Sequence, residues 1–409
     1  MVLLSVDCDF HIHGKYSAAT SKNMVFDIIS KQALLKGLDV VGTGDALHNL
    51  WLKEIIDMRT GDGTFELNGC NFVITTEVED NRRVHHLLFF PDTSSVEELR
   101  EVLSKHSNDL DKDGRPHIHL SGEEIAELCA ESDVMIGPSH AFVPWTSIYK
   151  EYDSVKECYG DRDIPYLELG LSADTYSADF IGELRDITFL TNSDAHSPWP
   201  HRLGREFNRL SLEEINYDEI KKAIKREGGR RIELNVGLDP RLGKYHRTSC
   251  IKCYTHYDLE GVKKLRRGCL NCGGTVKKGV YERIRELASY DEPKHPEHRP
   301  RYLRIAPLAE LLSEALGVKS VFSAKIQSSW NELVKRFGSE ISVLVDVPIA
   351  DLLEVNENIG NVISLYREER FKIIEGGGGQ YGRIIFDEDE IKGDKVTSQG
   401  SGQASLDSF

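Results

Sequence analysis

The sequence predicts an α/β domain followed by a small metal-binding module and an α-helical unit. Short apolar runs alternate with amphipathic stretches over about the first 235 residues, two Cys-x2-Cys pairs follow, and from Tyr281 onward the apolar residues recur at helical spacing. A chain of 409 residues exceeds the size at which one hydrophobic core stops growing. We therefore expect units at residues 1–236, 237–280 and 281–375, and a tail at 376–409.

The first unit has the rhythm of a largely parallel sheet. Its strands are predicted at the apolar runs Val40-Val41, Phe72-Val73-Ile74, Val134-Met135-Ile136, Tyr166-Leu167 and Ile187 to Leu190. Helices are predicted over 21–36, 121–131 and 211–226, each of which opens on a Ser that can accept a hydrogen bond from an orphan N–H group. The repeated β-then-α order is also compatible with a closed barrel.

The later units are marked by prolines and by one leucine pattern. A proline costs roughly 3 kcal/mol inside a helix, so the four that precede the helical unit predict a loop there. They are Pro293, Pro296, Pro300 and Pro307. Beyond them, one helix face is formed by Leu308, Leu311, Leu312 and Leu316. From Gly376 onward the residues bury too little apolar area to offset chain entropy, which predicts a flexible tail.

Charge is unevenly distributed along the chain. The formal net charge of −16 argues against a nucleic-acid partner when the chain is taken as a whole, because phosphate contacts need Lys and Arg. The stretch from Ile220 to Arg285 nevertheless holds 18 Lys and Arg against 6 Asp and Glu. This basic segment favours a nucleic-acid contact, although any soluble protein has basic faces.

The sequence predicts an intracellular, cytoplasmic protein without a membrane segment. Met1 to Phe10 has neither the basic nor the apolar region of a secretion signal, and no apolar run approaches the roughly 18 residues of a membrane helix. Four of the eight cysteines form the two pairs, and the others are scattered singly at Cys8, Cys70, Cys129 and Cys158. This usage favours metal binding over disulfides.

Metal-ligating residues follow several of the predicted strands. Residues 6–13 alternate polar with apolar, so as a strand they would place Asp7, Asp9, His11 and His13 on one face. The C-terminal ends of barrel strands meet at one rim, where residues distant in sequence converge. The candidates at such ends are Asp45, Glu77, His140, Asp194 and His196. Together they predict two or three divalent ions, with zinc favoured and Mg or Mn as alternatives, and phosphoester hydrolysis.

Two other histidine pairs are more ambiguous. His85 and His86 lie in one apolar run, and strand alternation sends only one of them to the interior; we favour His86 as the ligand. His117 and His119 do not follow an apolar strand, and we interpret them as a surface feature. Any single histidine or carboxylate among the candidates could instead hydrogen-bond to a carbonyl group or cap a helix.

The four clustered cysteines have the spacing of a zinc ribbon. They are Cys250, Cys253, Cys269 and Cys272, with fifteen residues between the two pairs. A closed tetrahedral set of four thiolates leaves no position for water, so it supports folding rather than catalysis; a redox pair is the alternative. Cations and aromatic residues in and around the ribbon could contact DNA, and they are Tyr245, Tyr254, Tyr257, Lys263, Lys264, Arg266, Arg267, Lys277 and Lys278.

The last seven residues have the Gln-x-x-Leu-x-x-Phe spacing of a sliding-clamp-binding peptide. Gln403, Leu406 and Phe409 occupy the three defining positions. Leu406 and Phe409 would enter a groove from one helical turn. The motif ends in one aromatic residue where the usual form has two.

The first 236 residues resemble the polyhistidinol phosphatase (PHP) superfamily. The motifs that carry the resemblance are His11-x-His13, Thr43-Gly44-Asp45, Thr76 to Asp80, Ser139 to Phe142 and Ser193 to His196. The resemblance implies a distorted (β/α)7 barrel with two or three metals, usually zinc or manganese, and phosphoester hydrolysis. Asp45 stands where many members have His, so one ligand differs in type.

Nearly the whole chain resembles the endonuclease Q family more closely. The added motifs are Gly170 to Asp174, His201 to Arg209 and Gly237 to His246, followed by the ribbon and the helical region. The resemblance implies cleavage of the phosphodiester on the 5′ side of uracil, hypoxanthine, xanthine or an abasic site, and clamp binding in archaeal members. It also implies that the damaged nucleotide is flipped into a pocket between barrel and ribbon.

The same resemblance assigns expected roles to individual residues. His11, His13, Glu77 and Asp194 would hold metals and act in catalysis, assisted by His140 and His196. The candidates for lining the substrate channel are Ser172, Asp174, Arg202, Arg205 and Arg241. Two rival functions stay open at this point: a small-molecule phosphatase of the same barrel type, and a non-catalytic DNA-binding adaptor whose barrel has lost its metals.

Overall fold

The chain adopts an α/β fold with a helical C-terminal region. A computed structural model describes residues 3–58, 63–265, 268–387 and 391. The strands are β1 (Leu4–Asp9), β2 (Val40–Gly42), β3 (Thr64–Leu67), β4 (Cys70–Val73), β5 (Thr75–Glu79), β6 (His85–Phe89), β7 (Met135–Pro138), β8 (Tyr166–Glu168), β9 (Thr188–Leu190), β10 (Phe207–Leu212), β11 (Arg231–Gly237), β12 (Ser249–Cys250), β13 (Val276–Lys277), β14 (Arg301–Arg304), β15 (Lys372–Ile374) and β16 (Arg383–Ile385).

The α-helices are distributed along the described chain and become dominant after Leu308. They are α1 (Phe26–Lys36), α2 (Asn49–Asp57), α3 (Thr93–Leu103), α4 (Gly122–Glu131), α5 (Ile148–Glu151), α6 (Val155–Tyr159), α7 (Thr175–Ala178), α8 (Tyr217–Lys225), α9 (Leu259–Lys263), α10 (Val280–Leu287), α11 (Leu308–Leu316), α12 (Ala324–Phe337), α13 (Ile349–Val355) and α14 (Glu357–Arg367). Among these helices none combines the length and the apolar character needed to cross a membrane.

The strands before the ribbon form mixed sheets rather than the largely parallel one that was expected. A seven-stranded sheet has the order β14-β11-β10-β1-β2-β4-β3, with β1 parallel to β2 and antiparallel to β10. Strands β5, β6 and β7 form an antiparallel sheet, and β8 pairs in parallel with β9. Strand β6 runs antiparallel to β5 because the chain turns back between them. Asp80 accepts hydrogen bonds from the backbone N–H groups of Arg82 and Val84, which closes this hairpin.

Side chains from these separate sheets pack into one buried cluster. Val6 from β1, Val40 from β2 and Leu87 from β6 meet Tyr166 from β8 and Leu210 from β10 there. Burial of this kind contributes about 1.5–3 kcal/mol for each large apolar side chain. The shared core therefore fixes the ends of strands from different sheets relative to one another, which is what a site assembled from distant residues requires.

Of the three helices predicted in the first unit, one is confirmed and two begin later than predicted. Helix α4 is confirmed, and Ser121 and Glu124 form the reciprocal capping box that stabilises its start. Helix α1 begins at Phe26 rather than at Ser21, because the N–H of Ser21 donates to the carbonyl of His196 and holds this stretch as a loop. The prediction over 211–226 was wrong in its first part, where β10 ends at Leu212 and the helix begins only at Tyr217.

The C-terminal helices share a core with the first unit. Helix α11 is confirmed, and Leu308, Leu311 and Leu312 are buried. The fully buried Lys36 of α1 donates to Glu340, whose other carboxylate oxygen accepts from the indole N–H of Trp330 in α12. Strand β14 also extends the seven-stranded sheet by pairing with β11. The boundary expected near residue 281 is thus crossed by both backbone and side-chain contacts.

The chain from Gly376 to Asp387, which the sequence assigned to a tail, contains strand β16 and contacts the segment before the ribbon. Strands β15 and β16 form a hairpin, and the N–H of Arg247 donates to the carbonyl of Gly376 in the turn. A Cβ atom at Gly376 would lie 2.4 Å from the carbonyl oxygen of Gly243, so glycine is needed for this approach. The glycine run packs on the segment before the ribbon instead of acting as a linker.

Candidate metal centres

Six side chains from distant parts of the chain form two adjacent groups of possible metal ligands. In each group the candidate ligand atoms lie within 4.8 Å of one another. The first group consists of His11, His13 and Asp194, and the second of Glu77, His85 and His140. His11 and His13 follow β1, Glu77 and His85 belong to the β5–β6 hairpin, and the remaining two follow β7 and β9.

Glu77 links the two groups. Its Oε1 lies 3.0 Å from Nε2 of His140, 3.1 Å from Nδ1 of His85 and 3.4 Å from Nε2 of His11. Its Oε2 lies 3.4 Å from Nε2 of His13. One carboxylate thus faces both groups, and such an oxygen pair can bridge two cations.

A second layer of carboxylates orients the histidines. Nδ1 of His11 lies 2.9 Å from Oε2 of Glu168, and Nδ1 of His13 lies 3.1 Å from Oδ1 of Asp45. Nε2 of His85 lies 3.0 Å from Oε2 of Glu79. Each contact occupies one ring nitrogen and leaves the other directed into the centre, which is how proteins fix the tautomer of a metal-ligating histidine.

Asp45 was expected to be a ligand, and the structure places it behind His13 instead. Besides facing His13, its carboxylate accepts hydrogen bonds from the N–H of Gly14 at 2.6 Å and from the hydroxyl of Ser17 at 2.9 Å. Both of these donors bond to Oδ2 and His13 faces Oδ1, so each carboxylate oxygen has a partner. Asp7 and Asp9, which share the alternating run, also lie outside the centre; Asp7 pairs with Arg209, and Asp9 accepts from Ser193 and Gly204.

The choice between the two adjacent histidines was wrong: His85 faces the centre, and His86 does not. Nδ1 of His86 lies 2.5 Å from the hydroxyl oxygen of Tyr159, and its Nε2 lies 3.4 Å from Oδ2 of Asp80. Alternation along β6 does send the two rings to opposite sides, but which side faces the ligands depends on the pairing of β6 with β5 and β7.

His196 lies at the edge of the first group. Its ring stacks on that of His13 with 4.5 Å between the ring centroids, and its Nε2 lies 3.4 Å from Oδ1 of Asp194. About a third of its side chain is exposed, as is 28% of the side chain of Asp194, whereas the side chains of His11 and His13 are buried. The centre therefore opens towards solvent on the side of Asp194.

The arrangement fits divalent cations. Nε2 of His11, Nε2 of His13 and Oδ1 of Asp194 are buried atoms without a hydrogen-bond partner among the described residues. Leaving such atoms unpaired costs roughly 1–3 kcal/mol each unless something binds them. His140 and Asp194 also adopt positive φ angles of 27° and 47°, a strained conformation that is typical of functional sites. Imidazole and carboxylate donors are the set that zinc and manganese accept.

The charges of the centre are strongly coupled. Burial alone would lower the pKa of His11, but the carboxylates of Glu168 and Glu77 outweigh it and raise that pKa well above its ordinary value. Burial alone would raise the pKa of Glu77, but His85 and His11 outweigh it and hold the pKa well below the usual range. The carboxylates thus favour positive charge at this position, which protons or metal cations can supply.

Two arginines lie at the open side of the centre. Nη1 of Arg115 lies 3.3 Å from Oε2 of Glu77, and Nε of Arg205 donates to the carbonyl of Ser193, next to Asp194. Arg115 reaches this position because the loop passes close to Asp45; a Cβ atom at Gly114 would lie 2.2 Å from Oδ2 of Asp45. These guanidinium groups are placed to meet an anionic substrate.

The other expected substrate contacts have structural partners of their own. Asp174 caps α7 and pairs with Arg304 at 2.5 Å, and Arg241 pairs with Asp239. Ser172 is half-buried, and Arg202 is exposed. Lys263 pairs with Glu260 on the ribbon, which contains Lys264 too. Arg266, Arg267 and the tail residues Gln403, Leu406 and Phe409 lie outside the described residues.

The four ribbon cysteines converge as their spacing predicted. The sulfur atoms of Cys250 and Cys272 are 3.5 Å apart, and those of Cys253 and Cys269 are 3.4 Å apart. All four lie within 4.8 Å of one another, and none forms a disulfide. Such a closed tetrahedral thiolate set fits zinc. The hydroxyl of Tyr257 also donates to the sulfur of Cys269 at 3.0 Å.

The basic segment that contains the ribbon is less cationic in space than along the chain. Arg230 pairs with Glu219, Arg247 with Glu282 and Arg283 with Asp153. These acidic partners lie partly in other segments, which is why counting charges along the sequence overstated the field. Between the first unit and the ribbon there is a cavity of about 360 Å³, lined by apolar residues such as Phe142 and by cations such as Lys278.

Three residues of the centre were not proposed from the sequence, namely Glu168, Arg115 and Glu79, and His85 was considered there only as the alternative to His86. Glu168 ends β8, so the rule that gave the strand-end candidates would have given this carboxylate as well. Arg115 lies in a loop, and sequence patterns do not indicate where a loop passes. His117 was interpreted as a surface residue, but it is half-buried, and its backbone forms an isolated parallel β-bridge with that of Glu79.

The chain is an α/β protein with two adjacent groups of imidazole and carboxylate side chains and a separate four-cysteine site. This arrangement is that of a metal-dependent hydrolase. The crystal structure of the lesion-specific endonuclease PfuEndoQ from Pyrococcus furiosus matches with a TM-score of 0.92 and 52% identity over 95% of this chain and 97% of that one. A structure of endonuclease Q with a 27-mer duplex that carries an abasic lesion at the active site matches with a TM-score of 0.89 and 52% identity, over 95% and 98% of the two chains. This chain belongs to the endonuclease Q family.

Comparisons of sequence agree with that assignment. The family model described as the MJ0043 C-terminal domain matches residues 307–370, which contain helices α11 to α14. The protein MJ0043 of Methanocaldococcus jannaschii is 46% identical over 258 residues, which cover 62% of this chain. The matched part is about a third, 32%, of the length of that relative.

Proposed function

We propose that the chain is a metal-dependent endonuclease that hydrolyses the phosphodiester on the 5′ side of deaminated bases (uracil, hypoxanthine and xanthine) and of abasic sites in DNA. The observation that carries the proposal is the sharing of Glu77 between two ligand groups that open towards solvent at Asp194. Membership of a family whose solved member binds an abasic duplex at its active site supports DNA as the substrate.

In this proposal the two groups hold two divalent cations. His11, His13 and Asp194 would bind one, and Glu77, His85 and His140 the other, with His196 available on the open side. When bound, such a pair supplies Lewis acidity to a phosphate oxygen and lowers the pKa of water to generate the nucleophile. The sheets that carry these residues would together form the distorted barrel of the PHP superfamily.

The remaining residues of the centre position those ligands and the substrate. Glu168 and Asp45 hold the rings of His11 and His13 in register by occupying their Nδ1 atoms. Arg115 and Arg205 would bind oxygen atoms of the scissile phosphate, because their guanidinium groups lie beside Glu77 and Asp194. A lesion flipped out of the duplex would enter the cavity between the first unit and the ribbon.

The ribbon and the tail would serve DNA placement and recruitment. Zinc bound by the four thiolates would fold the ribbon without taking part in the reaction. The C-terminal motif with Gln403, Leu406 and Phe409 would bind a sliding clamp. Binding of purified clamp to the full chain and to Phe409→Ala checks this part, and equal binding by both would contradict it.

The test of the proposed function is incubation with end-labelled duplexes that carry one uracil, one hypoxanthine or one abasic site, beside an undamaged duplex. We expect a single incision on the 5′ side of each lesion, none in the undamaged duplex, and loss of incision in His11→Ala.

Two outcomes would contradict the proposed function. Turnover of a simple phosphomonoester, with intact damaged DNA, would indicate a small-molecule phosphatase. Binding of damaged DNA without incision, by protein whose only metal is in the ribbon, would indicate an adaptor. Metal content per chain, measured before and after mild chelation, separates the adaptor from an enzyme that has lost its cations during purification.

A further inference from the structure

Three aromatic rings and two lysines form a continuous ladder on the surface near the metal centre. Nζ of Lys277 lies 4.7 Å from the ring centroid of Trp145 and 5.7 Å from that of Tyr245. Nζ of Lys244 lies 5.2 Å from the ring centroid of Tyr245 and 5.7 Å from that of Tyr381. The rings of Trp145 and Tyr245 also meet edge to face, with 5.8 Å between their centroids, so Lys277 lies beside this ring pair rather than between the rings. We refer to Trp145, Lys277, Tyr245, Lys244 and Tyr381 as the aromatic ladder.

The two end rings of the ladder are exposed to solvent, and the three residues between them are half-buried. The exposed fraction is 54% for Trp145 and 72% for Tyr381, which is high for side chains of this size. Within the described part of the chain, Lys244 and Lys277 form no ion pair with a carboxylate. A cation over an exposed ring contributes only about 0.5–1 kcal/mol, so each lysine can leave its ring for a stronger anionic partner.

The backbone beneath the ladder is fixed and leads directly to the metal centre. Trp145 follows the ligand His140 by five positions in the sequence, and the N–H of His85 donates to the carbonyl of Thr146 at 3.0 Å. The N–H of Val280 donates to the carbonyl of Tyr245, and that of Gly379 donates to the carbonyl of Lys244, both at 3.0 Å. The ladder therefore connects the first unit, the ribbon and the β15–β16 hairpin.

We propose that the aromatic ladder binds unpaired nucleotides of the DNA strand beside the incision site, with bases stacked on Trp145, Tyr245 and Tyr381 and phosphates paired with Lys277 and Lys244. This inference rests on the proposed function and deepens it. Rings with neighbouring cations match the bases and phosphates of a strand. An acidic peptide would pair with the lysines and leave the ring faces unused, and an apolar helix would bury the two amino groups that lie near the rings.

The test measures affinity in the full-length protein with Asp194→Asn added, so that substrate is not consumed. Fluorescence anisotropy gives Kd for a duplex with a short unpaired bubble and for a fully paired undamaged duplex. Base–aromatic stacking is worth about 1–3 kcal/mol per base, so Trp145→Ala should weaken bubble binding by about 5- to 150-fold and leave the paired duplex nearly unaffected. Trp145→Phe should retain most of the affinity. Ile56→Ala, an exposed apolar residue near the end of α2, is the control.

Two further variants separate the roles of rings and cations. Lys277→Gln should reduce the slope of log affinity against log salt by about one, because one phosphate contact is lost. Tyr381→Ala changes the most exposed ring of the ladder and should weaken bubble binding without lowering the melting temperature. This variant keeps the test valid if Trp145→Ala fails to fold.

Several results would overturn the inference. The first is unchanged affinity for the bubble duplex in both alanine variants, and the second is an equal loss of affinity for the bubble and paired duplexes. The third is that the variants lose affinity only for an acidic peptide, measured in the same assay. The proposed function fails separately, if the wild-type protein does not incise an abasic duplex. Because the ladder test measures binding rather than cleavage, it decides the inference in either case.

Discussion

The two clusters of candidate metal ligands differ in how far apart their residues lie in the sequence and in whether the cluster is exposed to solvent. The ribbon takes all four sulfur atoms from residues 250–272 and closes around its centre. The other centre takes its ligands from residues 11–194, and 28% of the Asp194 side chain remains exposed. A closed local set stabilises its own segment, whereas an open set held by the whole fold has room for a substrate. We therefore expect the histidine and carboxylate centre to require the folded chain, and the ribbon to require its metal in order to fold.

The largest expected effect separates the two sites by activity. Asp194→Asn removes a candidate ligand oxygen on the open side, and we expect incision of an abasic duplex to fall by about 10³-fold, since several kcal/mol of transition-state stabilisation would depend on the cation that Asp194 would hold. Single-turnover kinetics with end-labelled DNA give the rate. The ribbon metal and the affinity for DNA should be unchanged, and a matched loss of DNA binding would contradict this assignment.

A substitution in the ribbon should have the opposite signature. Cys250→Ser removes one thiolate, so the variant should lose the ribbon metal and its local fold, and DNA affinity should fall by about 10- to 100-fold. The rate at saturating DNA should change little. Metal content per chain together with Kd checks this expectation. If the variant instead loses turnover at saturation with normal affinity, the ribbon contributes to the reaction itself.

The two sites should also respond differently to pH. In the metal-free protein the pKa values of His11, His13 and His85 are raised above 6.5, because carboxylates outweigh the effect of burial. Protons and cations compete for these nitrogen atoms, so cation affinity should fall as the pH decreases, by about tenfold per pH unit for each proton displaced, beginning above pH 6.5. At the ribbon, by contrast, hydrogen bonds from Thr255 lower the pKa of Cys253 to about 6, so this thiol loses its proton at a lower pH than an ordinary cysteine does.

The pH effect has a consequence for stability. A raised histidine pKa stabilises the metal-free fold at low pH, and this contribution is lost as the pH rises through the folded-state pKa. Metal-free protein should therefore melt at a lower temperature at pH 8 than at pH 6.5, while loaded protein should show the reverse trend. Melting curves of both forms at several pH values test this, and parallel trends would contradict it.

The smallest expected effect concerns the neighbouring histidines of β6. His86→Gln should leave incision within about threefold of wild type and lower the free energy of unfolding by about 1–3 kcal/mol, because its ring hydrogen-bonds to Tyr159 away from the centre. His85→Gln is the matched comparison and should lower the incision rate by about 100-fold. If His86→Gln lost the incision activity and His85→Gln kept it, His86 rather than His85 would be the ligand.

Local patterns in the sequence predicted the local features best. The Cys-x2-Cys spacing predicted that the four ribbon cysteines converge, and the capping residue Ser121 predicted the start of α4. The strand-end rule found His140 and Asp194, because an apolar run before a polar residue is visible without knowledge of the fold. The choice between His85 and His86 failed because it depends on which face of β6 meets its neighbours, and pairing between strands is not local information.

Contacts between distant segments were beyond the sequence analysis for the same reason. Asp45 lies at a strand end like a true ligand, but the approach of Gly14 and Ser17 turns its carboxylate into a partner of His13. Arg115 enters the centre through a loop whose course depends on the packing of Gly114 against Asp45. The charge of the basic segment was overstated because partners such as Asp153 come from elsewhere in the chain.

The most direct test of the account is incision of an abasic duplex by protein in which the histidine and carboxylate centre has been emptied by mild chelation while the ribbon keeps its metal. X-ray fluorescence counts the metal per chain, and the same sample is assayed before and after a divalent cation is restored. We expect activity to disappear with the cations of this centre and to return when they are replaced. Undiminished incision by protein that retains only the ribbon metal would contradict the account.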